Sequence, residues 1–90
     1  MSISKAKIRE LRSQAHGLNP VVMLGSKGYT ETVQAEIDRA LFDHELIKIR
    51  LSGLEREEKR QLAQHICAEH GAEQVQMLGH VLTLYKKRSA

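Results

Sequence analysis

Residues 21–33 read VVMLGSKGYTETV, and the order of residue types in this stretch decides the fold. Four apolar residues lead into a loop with a glycine at each end, and the loop leads into a threonine and an acidic run. The apolar run at 21–24 predicts a short strand that is buried on both faces. Thr30 is a good helix N-cap, and the helix dipole favours Glu31 in the first turn. The stretch therefore predicts a strand, a loop and a helix in immediate succession.

The segment before this unit predicts another helix. Over residues 3–16, Ile8, Leu11 and Ala15 fall on one stripe at spacings of three and four. Gly17 can adopt the left-handed conformation that closes a helix, and a proline follows shortly after it. The first helix is therefore expected to end at Gly17.

After the unit, the chain predicts the rest of the second helix and a second strand. The buried stripe of the second helix consists of Val33, Ile37, Ala40 and Leu41. This helix is expected to end near His44. Residues 46–51, LIKIRL, alternate in the manner of a half-buried strand, with Lys48 and Arg50 facing away from the core.

A third helix follows, and two starting points for it are open. Ser52 and Glu55 have the spacing of a capping box, and residues 54–55 are an equally fair beginning. Gly71 is expected to end this helix. Its apolar stripe consists of Leu62, Ala63, Ile66 and Cys67.

The last segment predicts a hairpin and completes the fold. Residues 74–77 alternate, with Val75 and Met77 on one face, and residues 81–85 alternate again after a short LGH turn. The order is then α-β-α-β-α-β-β. Strands joined through helices tend to pair in parallel, and the hairpin adds an antiparallel strand. We expect a single α/β domain over residues 1–90, with a four-stranded mixed sheet and at least the second and third helices on one face.

Composition sets the class of protein. The chain has 90 residues, of which 41% are hydrophobic and 28% charged, as in a single small globular domain. The one cysteine, Cys67, cannot form an intrachain disulfide and suits a reducing compartment. No stretch is apolar and long enough for a signal-peptide core or a membrane span. We expect a soluble cytoplasmic monomer that does not contact a membrane.

Charge is segregated along the chain. Residues 1–16 have four bases and one acid, and residues 86–88 have three bases, so each end carries +3 while the middle carries −3. Clustered Lys and Arg favour a polyanionic partner such as nucleic acid. A solvated surface with a basic tail is the alternative.

The loop after the first strand is the main candidate site. Its residues are Gly25, Ser26, Lys27 and Gly28, followed by Tyr29 and Thr30. At a strand-to-helix junction, backbone N–H groups and the helix dipole attract anions, and glycines permit strained angles and close approach. Lys27 adds a cation, Ser26 and Thr30 add hydroxyls, and Tyr29 offers a ring for base stacking. The spacing matches neither the P-loop nor the dinucleotide fingerprint, and an ordinary turn is the alternative.

Basic residues elsewhere are candidates for the same surface. Lys5, Arg9, Arg12 and His16 fall within a sector of about 60°, roughly 100° from the apolar stripe of the first helix, and can track phosphates. The tail Lys86, Lys87 and Arg88 either extends this surface or only makes the terminus soluble. Lys48 and Arg50 are interpreted as a solvated strand face, because the aromatic residues of an RNA-binding sheet are missing apart from Tyr85.

Catalytic and metal sites are not predicted. His65 and Cys67 point about 200° apart on a helix and cannot bind one ion together. No Ser/His/Asp set, Cys/His dyad or paired-acid motif is present. We expect no catalytic residue, no metal and no cofactor, and hence no enzyme.

Several motifs together resemble a known family. The motifs LRSQAH, NPVV, the G-x-x-G loop, AEIDRAL and HELIKI, with the final hairpin, resemble the CRM domain (chloroplast RNA splicing and ribosome maturation) in its stand-alone bacterial, YhbY-like form. The resemblance implies a fold similar to the C-terminal domain of translation initiation factor three and binding to structured RNA without catalysis. Bacterial members are associated with precursors of the large ribosomal subunit, and the family loop maps onto Gly25, Ser26, Lys27 and Gly28. Many members have a basic residue directly after the first glycine, where this chain has Ser26.

The resulting hypothesis is an RNA-binding protein that docks on ribosomal RNA or a pre-ribosomal particle and assists assembly of the large subunit. It would use the GxxG loop and the adjacent basic helix. The predicted RNA-binding residues are Lys5, Arg9, Arg12, Gly25, Ser26, Lys27, Gly28, Tyr29, Thr30, Lys86, Lys87 and Arg88. A ribosome-associated adaptor that contacts only protein is the alternative. DNA binding is disfavoured, since no helix-turn-helix is evident.

Overall fold

Within residues 3–87, three helices and four strands follow one another in the predicted order α-β-α-β-α-β-β. The computed structural model describes residues 3–87. The elements are α1 (Lys5–Ala15), β1 (Val22–Leu24), α2 (Glu31–His44), β2 (Leu46–Leu51), α3 (Arg56–His70), β3 (Glu73–Leu78) and β4 (Val81–Tyr85). Arg88 of the predicted basic tail lies outside the described residues.

The strands form one mixed sheet in the order β1-β2-β4-β3. β1 pairs in parallel with β2, and β4 pairs antiparallel with both β2 and β3, which confirms the predicted four-stranded mixed sheet. Leu24 pairs with Leu51, so β1 and β2 finish together; we call this the loop end of the sheet. At the opposite end Leu46 pairs with Tyr85, and we call it the Tyr85 end.

Helices cover both faces of the sheet. The larger core contains the buried stripes of α2 and α3, so these two helices share a face as predicted. On the other face, Leu11 and Ala15 of α1 pack on Leu46 and Val75. Because Leu46 belongs to the Tyr85 end, α1 covers that part of its face.

The ends of α1 differ from the prediction. The helix begins after Ser4, whose side-chain oxygen accepts a hydrogen bond from the Lys7 backbone N–H at 3.1 Å. It ends with His16 in a right-handed conformation, and Gly17 does not have a positive φ. The predicted left-handed glycine cap is therefore wrong. The Leu18 N–H instead donates to the Ala15 carbonyl at 2.9 Å.

The structure decides between the two predicted starting points of α3. The N-cap is Glu55, and the capping box joins Glu55 to Glu58, so a box from Ser52 to Glu55 is wrong. At the other end Gly71 has φ 65° and closes the helix in the left-handed conformation, as predicted. The Glu55 N–H donates to the Glu58 side chain at 3.0 Å.

The first strand is not buried on both faces. β1 is an edge strand, and its side chains alternate between buried and exposed. Met23 is 66% exposed, because α1 lies toward the Tyr85 end and does not reach it. A continuous apolar run therefore predicted the strand correctly and its burial wrongly.

A β-bulge in β3 changes which face of the sheet its side chains point to. The register shifts between Gln74 and Gln76, opposite β4. Val75 consequently packs with α1, whereas Met77 packs against the larger core. The prediction that both side chains share a face is wrong, because one extra residue in a strand reverses the alternation beyond it.

None of the helices described over residues 3–87 combines the length and the apolar character needed to cross a bilayer.

Candidate nucleic-acid interface

The GxxG loop is a tight turn at the loop end of the sheet. The Gly28 N–H donates to the Gly25 carbonyl at 3.0 Å, which leaves Ser26 and Lys27 at the corner. Both corner residues are exposed. Gly28 has φ 76°, a conformation that costs a residue with a Cβ about 1–2 kcal/mol. The turn thus holds the Lys27 ammonium and the Ser26 hydroxyl outward.

The two glycines have different roles. Only Gly28 needs a positive φ; Gly25 does not have one, so the prediction of strained angles is wrong at Gly25. A Cβ built on Gly25 meets no atom within 4 Å. The backbone at Gly25 is therefore open to a ligand from outside, and neither conformation nor packing within residues 3–87 requires a glycine there.

Thr30 is the N-cap of α2, as predicted. Its hydroxyl oxygen accepts from the Val33 N–H at 3.2 Å, and its own N–H donates to the Gly28 carbonyl at 3.1 Å. The hydroxyl that was predicted to contact RNA is thus engaged in capping. The exposed acid Glu31 stands in the first helical turn, where it competes with any bound phosphate for the positive end of the helix. The favourable position for an anion is accordingly on the Lys27 side.

Tyr29 anchors the loop to α3. Its hydroxyl donates to Glu69 Oε1 at 2.5 Å and lies 2.7 Å from His70 Nε2. The ring stands edge-on to those of His65 and His70, with centroids 5.7 and 6.1 Å away. Burial, and then the hydrogen bond to Glu69, raise the pKa of Tyr29 above its ordinary value. The ring that was predicted to stack on a base is packed within the protein.

The anchor continues to a third element through His70. His70 Nδ1 lies 2.5 Å from Asp38 Oδ1 of α2, and the His70 side chain is almost fully buried. Because the Asp38 carboxylate can only accept, the Nδ1–H group of His70 donates to it. The sequence analysis did not predict these hydrogen bonds between Tyr29, His70 and Asp38. The signal was available in part, since His70 follows Ala63 and Ile66 at spacings of seven and four on the buried stripe of α3.

The basic residues of α1 form an exposed ridge. We call Lys5, Arg9, Arg12 and His16 the α1 ridge; all four are exposed. The helix has a second flank, which contacts the Tyr85 end: Lys7 Nζ lies 5.5 Å from the centre of the Tyr85 ring, and Gln14 lines a cleft with Leu46. At 100° per residue, Lys7 and Gln14 lie on one side of the buried stripe and the ridge on the other. The α1 ridge therefore faces the loop end.

The basic tail lies away from the loop. Lys86 and Lys87 directly follow β4, whose last residue belongs to the Tyr85 end. Both are exposed, and they line a cleft with Ile3 and Lys7. They neighbour the flank of α1 opposite to the ridge, so the structure does not bring them to the GxxG loop.

The two cations of β2 have different surroundings. Lys48 Nζ donates to the Leu18 carbonyl at 3.0 Å and so holds the connection between α1 and β1. Arg50 is exposed and makes no hydrogen bond or ion pair with any residue between 3 and 87. Arg50 is thus solvated, as the interpretation of this strand predicted, whereas Lys48 is only partly exposed.

The family assignment follows from comparison with known proteins. A model of the CRS1/YhbY (CRM) domain matches residues 3–86. The chain belongs to the CRM domain family. The match covers all the elements described above, including the GxxG loop and α1, and confirms the resemblance.

Relatives of this CRM domain come from several organisms. A Haemophilus influenzae protein named "RNA-binding protein" is 48% identical over 85 residues, which cover 94% of this chain and 86% of the relative. A Pseudomonas aeruginosa protein named "Probable RNA-binding protein" is 38% identical over 87 residues, covering 97% and 84%. A solution structure from Staphylococcus aureus superposes with a TM-score of 0.86 at 28% identity, over 99% of this chain and 93% of that one. The fold is therefore the fold of that structure.

Cys67 of this CRM domain is a core residue. It is half-buried and packs against the larger core, as its place on the α3 stripe predicted. Burial, with a smaller contribution from Glu73, raises the pKa of the Cys67 thiol to about 11. A thiol with this pKa is protonated at neutral pH and is a poor nucleophile.

Proposed function

We propose that this CRM domain binds structured RNA and docks on large-subunit ribosomal RNA while the particle is assembled. The GxxG loop and the α1 ridge would form the contact. The observation that supports this proposal is the orientation of α1, whose ridge of three permanent cations faces the end of the sheet where the loop lies. The names of the relatives from Haemophilus influenzae and Pseudomonas aeruginosa support RNA as the partner.

In this function each part of the surface has a physical task. Lys27 and the open backbone at Gly25 hold one phosphate, since a backbone without a Cβ admits close approach. Lys5, Arg9 and Arg12 hold the neighbouring phosphates along the helix. The loop is held in place by Tyr29, so little ordering is needed when RNA binds.

Binding is expected to depend strongly on salt. Four cations that neutralise four phosphates give a log–log slope of roughly −3, because each phosphate contributes about −0.7 on single strands and about −0.9 on duplexes. A slope near zero would be incompatible with this surface.

The test is filter binding of a large-subunit ribosomal RNA transcript. Lys27→Ala and a triple Lys5/Arg9/Arg12→Ala variant should each weaken binding while thermal unfolding stays unchanged. The matched control is a triple Arg39/Arg56/Arg60→Ala variant, which removes the same charge from exposed positions on α2 and α3. Wild-type affinity in both test variants would exclude the proposed site.

An adaptor that contacts only ribosomal proteins is the competing function. Its association with ribosomal particles would survive nuclease treatment and would change little with salt. The exposed Lys5, Arg9 and Arg12 favour the RNA function, because clustered Lys and Arg attract a polyanion.

A further inference from the structure

A row of four outward side chains crosses the whole sheet beside the GxxG loop. Met23 pairs with Arg50, Arg50 pairs with Val81, and Val81 pairs with Leu78. Paired residues of neighbouring strands point to the same face, so one side chain from each strand stands in line. We call this set the open row. With about 4.8 Å between strands, it is about 14 Å long.

Three of the four side chains in the open row are exposed, and Val81 is half-buried, although three of the four are apolar. Met23 is 66% exposed and Leu78 is 71% exposed, and Arg50 is exposed as well. The reason is the position of α1, which packs on Leu46 at the Tyr85 end. Arg50 lies four residues further along β2, a distance of about 13 Å, and so is beyond the cover of the helix.

The open row lies between the two parts of the proposed site. Met23 is separated from Gly25 by one residue, so the row begins next to the GxxG loop. On its other side the α1 ridge faces it across the sheet. An RNA strand that contacts both the loop and the ridge must therefore pass over these side chains.

The charges around the open row fit an anion. β1, β2 and β4 contain no acidic residue, and the only acid in the sheet is Glu73. Glu73 pairs with Tyr85 and so lies at the far end. Arg50 has no carboxylate partner among residues 3–87. Together with Arg9 and Arg12 of the α1 ridge, it gives this face a positive charge with no acid of the sheet beside it.

We infer that the open row is a further RNA-contact surface of this domain. Arg50 binds a phosphate or stacks on a base with its planar guanidinium group. Met23, Val81 and Leu78 contact base or ribose faces, a contact that needs no particular sequence. This inference rests on the proposed function and extends it, since it adds a path for the strand between the loop and the ridge.

The size of the row favours RNA over a protein partner. A stable protein interface buries about 800 Å² on each partner, far more than four side chains in a line supply. The row is also bordered by the cations of the α1 ridge, which attract the phosphates of a nucleic acid. RNA supplies both an anion for Arg50 and flat apolar surfaces for its neighbours.

Two variants test the inference with the same large-subunit ribosomal RNA transcript. Arg50→Ala should weaken binding about fivefold and reduce the magnitude of the salt slope by about 1. Leu78→Lys adds a cation to the row and should tighten binding about threefold with a steeper slope. The controls are Arg39→Ala and Gln64→Lys, which make the same charge changes at exposed positions on α2 and α3 and should leave affinity unchanged.

Each outcome has one reading. If Arg50→Ala and Leu78→Lys both bind like wild type while the loop and ridge variants bind weakly, the open row is not an RNA contact and the proposed function stands. If the loop and ridge variants also bind like wild type, the proposed function itself is wrong. If Leu78→Lys loses binding to ribosomal particles with unchanged affinity for the naked transcript, the row contacts a protein and the inference is overturned.

Discussion

Tyr29 and His70 are 41 residues apart, and the tyrosine hydroxyl oxygen lies 2.7 Å from His70 Nε2. The same hydroxyl donates to Glu69 at 2.5 Å, and His70 in turn reaches Asp38. Because Tyr29 directly follows Gly28, this chain of bonds fixes the position of the GxxG loop from the side of α3. The loop that we propose as the phosphate site is thereby held by the larger core of the domain.

Replacing Tyr29 by phenylalanine should loosen the loop. The change removes the hydrogen bonds to Glu69 and His70 and keeps the ring, so we expect a loss of about 1 kcal/mol in the free energy of unfolding. The Thr30 amide, which donates to the Gly28 carbonyl, should exchange its hydrogen faster. Urea unfolding and amide hydrogen exchange measure the two effects.

A control for this variant is Tyr85→Phe, since that ring packs against Lys7 at the Tyr85 end. It should leave the exchange rate of the Thr30 amide unchanged. Equal exchange in wild type and Tyr29→Phe would show that Tyr29 does not hold the loop.

The two glycines of the loop should respond differently to alanine. Gly25→Ala should leave thermal stability unchanged, because its φ is not positive and the added Cβ meets no atom within 4 Å. It should nevertheless weaken RNA binding, since the Cβ would stand where the phosphate approaches. Gly28→Ala should lower the free energy of unfolding by about 1 kcal/mol, because φ is 76°.

Gly17→Ala is the control for both variants, since Gly17 also has no positive φ and open space around it. It should change neither stability nor RNA affinity. If Gly25→Ala binds the ribosomal RNA transcript as tightly as wild type, RNA does not approach the backbone at Gly25.

Local chemistry predicted much of this fold, and the reasons are visible in single residues. Thr30 and Gly71 acted as predicted because a cap depends only on the few residues around it. The alternation in β2 likewise fixed which side chains face the larger core. The mixed sheet followed from the order of the elements, because strands joined through helices tend to pair in parallel and a hairpin pairs antiparallel.

What could not be predicted depends on contacts between distant segments. Tyr29 was expected to stack on a base, because nothing near it in sequence announces Glu69 or His70. Met23 was expected to be buried, because an apolar run does not reveal that α1 stops short of it. The β3 bulge was hidden for the same reason, as register is set by the partner strand.

Alkaline pH should destabilise the domain through Cys67. Its pKa is raised from 9.0 to about 11 in the folded state, mainly by burial. The raised pKa contributes stability that is fully present below pH 9 and is lost as the pH rises toward 11. Urea unfolding at several pH values between 9 and 11 should give a free energy of unfolding that falls as the pH rises. Cys67→Ala should make this fall less steep.

The Tyr29 hydroxyl also has a raised pKa, and the stability that this contributes begins to fall above pH 10, so Tyr29→Phe serves as the comparison. If the free energy of unfolding depends on pH in the same way in wild type and Cys67→Ala, the thiol is not protected by folding. Slow alkylation of Cys67 at neutral pH is expected for the same reason.

Glu31 should oppose RNA binding while it stabilises α2. Its carboxylate stands in the first turn of the helix, next to the proposed phosphate position at Lys27, and is exposed. Glu31→Gln removes this repulsion, so affinity for the ribosomal RNA transcript should rise about threefold, and less at high salt. The favourable interaction with the helix dipole is lost as well, which should lower the free energy of unfolding by about 0.5 kcal/mol.

The control is Glu36→Gln, which makes the same change at an exposed position in the middle of α2. Because the dipole acts only on the terminal turns, this variant should change stability little. Because Glu36 is further from Lys27 than Glu31 is, the variant should also leave affinity for the ribosomal RNA transcript almost unchanged. If Glu31→Gln binds RNA no more tightly than Glu36→Gln, no phosphate lies at the amino end of α2, and the anion site must be sought at the α1 ridge alone.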